Sequence, residues 1–323
     1  MVEKNSTDLV LTRLFDAPVA MVWQAWTDPK KLMQWWGPES FTSPICKVDF
    51  RVGGKMLLCM RDPGGKDYWS TGEIREIVPM KRLVYTDSFS DAEGNIVSAA
   101  AYGMGDDFPD ELLVTVEFEN LGSQTRMTLT TAGLPAGEML QMTGLGWSGS
   151  FDKLENSLLI QNETGPHKLY VTIEPGKQEI SYKRIFDAPR DLVFKVYTDP
   201  SLIPHFWGPQ IYTTVVEKME VKPGGQWRYI QKDDQGGEYG FHGVYHSIEA
   251  PLRIVNTFEY EGVPGHVSLE SLRFDEIDGK TVLNGLSVFQ SVADRDGMAQ
   301  TGMESGMTEL MDRLEALLVK EQA

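Results

Sequence analysis

The 323-residue chain is 41% apolar and 24% charged, with a net charge of −17. The deficit is shared, −9 through residue 165 and −8 beyond it, so neither half suits nucleic acid or an anionic lipid surface. Two cysteines exclude a disulfide framework and a four-ligand zinc site, no apolar run approaches the ~20 residues of a membrane span, and Met1 to Asp8 has no leader pattern, so a cytoplasmic protein without membrane insertion is expected.

The length suits two domains of about 150 residues. In chain order, Leu9–Asp16 alternates as a strand, and Ala17-Pro18 opens a helix carrying Val22, Trp23 and Trp26. Asp28-Pro29 ends it and caps a second short helix, which must stop at Trp36-Gly37-Pro38. Six strands follow, near Phe41–Phe50, Lys55–Arg61, Tyr68–Ile77, Arg82–Phe89, Glu111–Glu119 and Thr125–Thr131, separated by Gly, Pro and Asp turns. Trp147, Phe151, Leu154, Leu158 and Leu159 then fall at helical spacing. Gln161 to His167 reads as a linker, with 1–164 and 165–323 as the two domains, and Lys168–Glu174 alternates as one more strand.

The order then repeats. Arg184-Ile185-Phe186-Asp187-Ala188-Pro189 restates Arg13 to Pro18, Thr198-Asp199-Pro200 restates Thr27 to Pro29, and Trp207-Gly208-Pro209 restates Trp36 to Pro38. Gly224-Gly225 and Gly243 match Gly53-Gly54 and Gly72, all at an offset of 171 residues. Strands are expected near Glu179–Asp187, Tyr212–Val221, Gln226–Lys232, Tyr239–Ile248, Arg253–Tyr260, Val267–Asp275 and Thr281–Phe289, and a final helix through Met303, Met307, Met311 and Leu314. Near the ends, Asp152-Lys153-Leu154-Glu155 aligns with Asp312-Arg313-Leu314-Glu315 at an offset of 160, so the second half is 11 residues shorter, which points to the loop at Asp91–Asp110. The fold class is α+β. Each domain is a seven-stranded antiparallel sheet gripping a long C-terminal helix, with two short helices at one end and a cavity between helix and sheet.

These strings, Phe-Asp-Ala-Pro, Thr-Asp-Pro, Trp-Gly-Pro, Gly-Gly and the terminal Asp-Lys/Arg-Leu-Glu, resemble the activator of Hsp90 ATPase homologue 1-like family, of the START/Bet v 1-like superfamily with the helix-grip fold. The resemblance covers nearly the whole chain, twice. It implies tandem helix-grip domains, and a superfamily repertoire of hydrophobic-ligand carriers, aromatase/cyclase enzymes and chaperone activators.

Strand parity indicates which side chains face each cavity. In the second domain these are Trp227, Tyr229, Tyr239, Phe241, Tyr245 and Phe258, with Trp207 at the mouth and Met303 and Met307 on the helix. In the first they are Met56, Leu58, Tyr68, Tyr85 and Asp87, with Trp36 at the mouth and Trp147 on the helix. Apolar walls with a few polar groups suit a small hydrophobic or aromatic molecule. His242 and His246 lie i, i+4 on a strand, roughly 13 Å apart and facing away from the cavity, so no metal site is expected. Cys46 and Cys59 become cross-strand neighbours if the hairpin turns at Arg51–Gly54. No Ser-His-Asp order, nucleophile elbow or paired-carboxylate motif occurs, and no cofactor is implied. The expected function is non-catalytic binding of a small hydrophobic molecule. The alternatives are a cyclase- or hydrolase-type enzyme resting on Tyr229, Tyr245, Glu270 or Asp87, and a chaperone-interaction protein.

Overall fold

The computed structural model describes residues 6–105, 108–163 and 166–322, and the chain divides into two compact units, Met1–Glu163 and Thr164–Ala323. The expected junction at 164/165 lies outside the described residues.

The first unit runs β1 (Ser6–Phe15), α1 (Val19–Thr27), α2 (Pro29–Leu32), β2 (Thr42–Val48), β3 (Lys55–Arg61), β4 (Asp67–Val78), β5 (Arg82–Ser90), a 3-10 turn (Ala99–Tyr102), β6 (Leu112–Asn120), β7 (Thr125–Pro135) and α3 (Glu138–Asn162). Its seven strands form one antiparallel sheet in the order β1-β7-β6-β5-β4-β3-β2. Alternate residues such as Leu83 and Tyr85 of β5 and Val114, Val116 and Phe118 of β6 turn to one face, where Phe151, Leu154 and Leu158 of α3 cover them. Burying one stripe of a long helix on one face of a sheet is what stabilises both elements.

The second unit runs β8 (Tyr170–Thr172), β9 (Glu179–Phe186), α4 (Arg190–Thr198), α5 (Ile203–Phe206), β10 (Thr213–Met219), β11 (Gln226–Lys232), β12 (Glu238–Glu249), β13 (Arg253–Tyr260), β14 (Ser268–Ile277), β15 (Lys280–Val288), α6 (Val292–Gln300) and α7 (Met303–Glu321). Here the sheet has eight strands, not seven, because β8 pairs antiparallel with β9 and covers the edge. The expected linker is also shortened, since Gln161 and Asn162 complete α3. The helix α6, started by Ser291 accepting from the Asp294 amide, was not foreseen as a separate element.

The repeated motifs act as fasteners. Asp28 accepts from the Lys30 amide at 2.9 Å and starts α2, with Pro29 at its first position. Gly37 and Gly208 take the left-handed φ of +99° and +77° that lets Trp-Gly-Pro end the short helices. In the first unit Lys153 of α3 gives its Nζ to the carbonyl of Phe41 at 2.8 Å, and in the second Arg313 of α7 bonds the carbonyls of Gly208 and His205. Arg13 of β1 pairs with Asp152 at 2.9 Å, while Arg184 of β9 pairs with Asp312 at 2.9 Å and with Glu315. The Asp-Lys/Arg-Leu-Glu repeat therefore bolts the long helix to the first strand and to the Trp-Gly-Pro turn.

Two sequence expectations fail on register. The hairpin after β2 pairs Val48 with Met56 and Cys46 with Leu58, one residue off the expected alignment. Cys46 therefore turns inward beside Leu58 and Cys59 does not oppose it. Burial pushes the Cys46 thiol up to about 12 and the Cys59 thiol to about 11, leaving both protonated near neutrality. The length difference between halves also has two parts. Leu83 opposes Val116 and Ile254 opposes Leu272, so β6 and β14 correspond at an offset of 156 (272 against 116), below the 160 of the long helices. The β5–β6 loop is longer by more than 11 residues, and α6 restores part of the difference.

That long loop wraps the end of the first sheet. Asp91 accepts from the amides of Glu93 and Asn95, and Gly94 folds back against Leu57 and Thr71 on the outer face. On the inner side Tyr102 packs 5.4 Å from Tyr68 and 5.2 Å from Phe89, with Phe108 5.5 Å from Phe89.

Candidate functional site

The inner face of each sheet, under its long helix, gathers the expected residues unequally. In the second unit Trp207, at the end of α5, lies edge-on 5.1 Å from both Tyr229 and Phe241. Trp227 lies 4.8 Å from Tyr229 and 6.1 Å from Phe258, so five rings from the turn and from β11, β12 and β13 form one aromatic wall. Trp227, Tyr229 and Tyr245 are buried, but Trp207, Phe241, Phe258 and Met307 keep accessible surface. Tyr239 stands at the rim against Tyr212 and Asp233, and Met303 opens α7 half-buried.

In the first unit Trp36 is not a mouth residue. It is 5% exposed and packs edge-on 5.4 Å from Trp147 and 6.4 Å from Trp26. Trp23, Trp26, Trp35 and Trp147 pack in the core above the strand residues, and strand parity says nothing about what helices and turns bring in. Met56, Leu58 and Tyr85 sit beneath them, fully buried, and Tyr68 lies at the end wrapped by Tyr102.

Polar groups stand inside both faces. Asp87 is closely surrounded by protein and keeps only part of its surface accessible. Burial pushes its carboxyl up to about 6, against a hydrogen bond from Ser70 that favours the charged form. Tyr85, two residues away on the same face, is 2% exposed, and its hydroxyl makes no hydrogen bond among the described residues. The indole N–H groups of Trp26 and Trp36 are unpaired in the same way. Such orphaned donors in a low-dielectric interior are costly.

Glu270 of β14 is the second unit's inner carboxylate. It shares a row of the sheet with Asn256 on one side and Ser287 on the other. It too is enclosed but accessible, and burial raises its carboxyl despite hydrogen bonds from Ser268 and Ser287 at 2.5 Å. Burial, then Glu270, raises the Tyr182 hydroxyl well above the ordinary phenol range. Burial raises Tyr245 as well, and Tyr245 is hydrogen-bonded to Tyr229. Trp227 Nε1 is buried and unpaired. The sequence reading named Glu270 only among weak enzyme candidates and gave Ser268, Ser287 and Tyr182 no place. The signal is that Glu270 shares the parity of Leu272 and Phe274, the apolar residues of that row.

The outer faces differ. A groove of 730 Å3 crosses the outer side of the first sheet, lined by Lys47, Lys55, Thr71, Glu73, Arg75 and Ile96 among others, and shares only Met56 with the expected cavity set. Glu73 is bonded there to Lys55 at 3.0 Å and Arg75 at 2.7 Å, so its charges are largely paired. His242 lies on the outer side of the second sheet, 3.6 Å from Glu259. Among the described residues no group of His, Cys, Asp and Glu is placed to hold a metal ion, and no helix is long and apolar enough to cross a membrane.

A search of curated proteins finds no match. Solved structures with which the chain aligns include a protein of Chromobacterium violaceum (28% identity, 47% of this chain and 96% of that one, TM-score 0.38) and the AHSA1 protein of Silicibacter pomeroyi (26%, 48% and 100%, TM-score 0.41). A protein of Arthrobacter aurescens aligns at 24% identity over 47% of this chain and 91% of that one, with a TM-score of 0.44. The family model for activator of Hsp90 ATPase homolog 1-like proteins matches twice, over residues 16–158 and 187–319, one match within each unit. With both helix-grip units matched across most of their length, the chain belongs to the activator of Hsp90 ATPase homologue 1-like family, in two tandem copies.

Proposed function

We propose that the chain binds small hydrophobic or aromatic molecules between sheet and long helix, without chemical conversion, and that the second unit is the stronger binder. The observation that carries this is the second unit's aromatic wall, where Trp207, Phe241 and Phe258 keep accessible surface. Apolar area left in contact with water costs roughly 25 cal/mol per Å2, and a ligand that covers it recovers that free energy. The hydrogen-bonded Tyr229–Tyr245 pair beside the wall supplies the few polar groups such a site carries. The test is native mass spectrometry of freshly purified protein. A stoichiometric small molecule that dissociates on activation supports the reading, and a bare mass together with no uptake from a panel of aromatic compounds refutes it.

A catalytic reading has one observation in its favour, the raised carboxyls of Asp87 and Glu270 beside tyrosines. Incubation of the chain with an aromatic ester panel tests it, and turnover abolished by Glu270→Gln would establish it. The chaperone function in the family's name has no residue-level support of its own in either unit.

A further inference from the structure

We infer that the inner faces of both units are built for a protonated amine carried on an apolar or aromatic body, with the buried carboxylate taking the ammonium and the surrounding rings taking the body. This rests on the ligand-binding reading above and adds the sign of the ligand's charge.

The first ground is position. By register, Tyr85 opposes Val114 and Asp87 opposes Leu112 in the first unit, while Asn256 opposes Glu270 and Phe258 opposes Ser268 in the second. The counterpart of Asp87 is therefore Phe258, and that of Glu270 is Val114. The fold accepts an apolar residue at either place, so neither acid is needed to build the unit. Each four-residue patch still holds one carboxylate, on neighbouring strands in the two copies. A buried charge disfavours folding unless something compensates it, so an acid kept in each copy at a position where the other copy does without one points to a ligand.

The second ground is the absence of a cation to answer either acid among the described residues. Arg13, on the inner face of β1, is paired with Asp152, and Lys153 of α3 is held by the carbonyls of Trp36 and Phe41. In the second unit Arg184 is paired with Asp312 and Glu315, and Arg313 bonds the carbonyls of Pro204, His205 and Gly208. The groups acting on Asp87 and Glu270 are Ser70 in one case and Ser268 and Ser287 in the other, with Tyr85 and Tyr182 as the titratable neighbours. Burial that raises both carboxyls is the mark of a charge lacking its partner.

The third ground is the company these acids keep. Aromatic faces attract a cation, and a ring-lined pocket with a carboxylate is the arrangement that selects ammonium groups. Glu270 is joined along its row, through Asn256, to Tyr245 and the Trp227–Tyr229–Trp207 wall. Asp87 shares its strand face with Tyr85, which packs in the core cluster that holds the tryptophans. An anionic amphiphile would set a second negative charge against these acids within a chain already at −17.

The test uses the full chain and three probes of one body, 2-naphthylmethylamine, 2-naphthylmethanol and 2-naphthoate, titrated by calorimetry at pH 8. The amine should bind at least tenfold more tightly than the alcohol, with naphthoate weakest. In the double variant Asp87→Asn, Glu270→Gln, amine and alcohol should bind within about twofold of one another. With Glu270→Gln alone, leaving Asp87 as the acid, amine affinity should fall about tenfold from pH 8 to pH 5, because a carboxyl titrating at about 6 is mostly protonated there. An alcohol that equals the amine, or an amine preference that survives in the double variant, overturns the inference and leaves ligand binding standing. Binding of none of the three overturns both.

Discussion

Replacing Asp87 by Asn should stabilise the first unit, and only above the pH at which Asp87 ionises. Burial moves its carboxyl from the ordinary 3.8 to about 6. At about 1.4 kcal/mol per pH unit, that shift makes the ionised carboxylate cost the fold roughly 3 kcal/mol. The folded-state value lies above the unfolded one, so the folded state holds more protons between pH 4 and 6, and stability falls as pH rises through that window. Asn keeps an oxygen for Ser70 but adds an amide donor with no evident partner, a loss of about 1 kcal/mol. The net gain is then about 2 kcal/mol at pH 8, or roughly 4–8 °C in Tm for a unit of this size, shrinking to nothing or slightly negative at pH 4. Trp23, Trp26, Trp35, Trp36, Trp69 and Trp147, six of the chain's eight tryptophans, belong to the first unit, so intrinsic fluorescence reports mainly on it. Urea melts of wild type and variant at pH 4 and pH 8 decide the matter. An equal gain at both values, or no gain at pH 8, refutes the reasoning.

Other outcomes follow from the fasteners and the wall. Removing both carboxylates that answer Arg184, by Asp312→Asn with Glu315→Gln, should cost about 3–5 kcal/mol by leaving a 2%-exposed guanidinium unpaired, whereas Asp152→Asn opposite the part-exposed Arg13 should cost about 1 kcal/mol or less in a denaturant titration. Gly72→Ala and Gly243→Ala would place a methyl 1.7 Å from the Thr86 carbonyl and 1.9 Å from that of Thr257, so each should lose at least about 3 kcal/mol or fail to fold, as circular dichroism would show. Trp207→Ala should weaken dye binding more than it lowers the melting midpoint. A stability loss near the ~3–5 kcal/mol of a core aromatic, with unchanged affinity, would make it an anchor. Residues 1–163 and 166–323 expressed apart should each melt cooperatively, and two non-cooperative melts would show that the units do not fold alone.

What could be read beforehand was whatever is local and periodic. The bounds of Lys55–Arg61, Gln226–Lys232 and Arg253–Tyr260 match the strands β3, β11 and β13 because Gly-Gly turns and the Pro251 bend punctuate them sharply. The duplicated Arg and Asp-Lys/Arg-Leu-Glu strings were visible as repeats, but their purpose was not, since the partners lie 139 residues apart for Arg13 and Asp152. The cysteine alignment failed by one residue because the turn that sets hairpin register also includes the backbone bond from the Arg51 amide to Asp49, which the sequence does not display. Strand parity puts Asp87 and Tyr85 on one face of β5, and Tyr85 packs in the first unit's core. Parity misjudged the first unit's interior, because five tryptophans arrive there from α1, α3 and the turn after α2.

The two effects of Asp87 pull in opposite directions, and that opposition separates a ligand-facing acid from a structural one. A carboxylate kept for the fold would be matched by a cation or a cluster of amides, and its removal would destabilise. Asp87 has Ser70 as its hydrogen-bond partner, its burial disfavours the charged form, and its counterpart Phe258 shows that the fold accepts a ring instead. Neutralising it should therefore strengthen the empty unit while weakening its hold on an amine, the trade expected where a group serves binding at the expense of stability. The same comparison applies to Glu270, whose counterpart Val114 is an apolar residue 1% exposed. If Glu270→Gln instead destabilises the second unit, its hydrogen bonds to Ser268 and Ser287 hold β14 and β15 together and the acid belongs to the fold. A gain in stability joined to a loss of amine affinity, at both positions, is the combination that only a binding role accounts for.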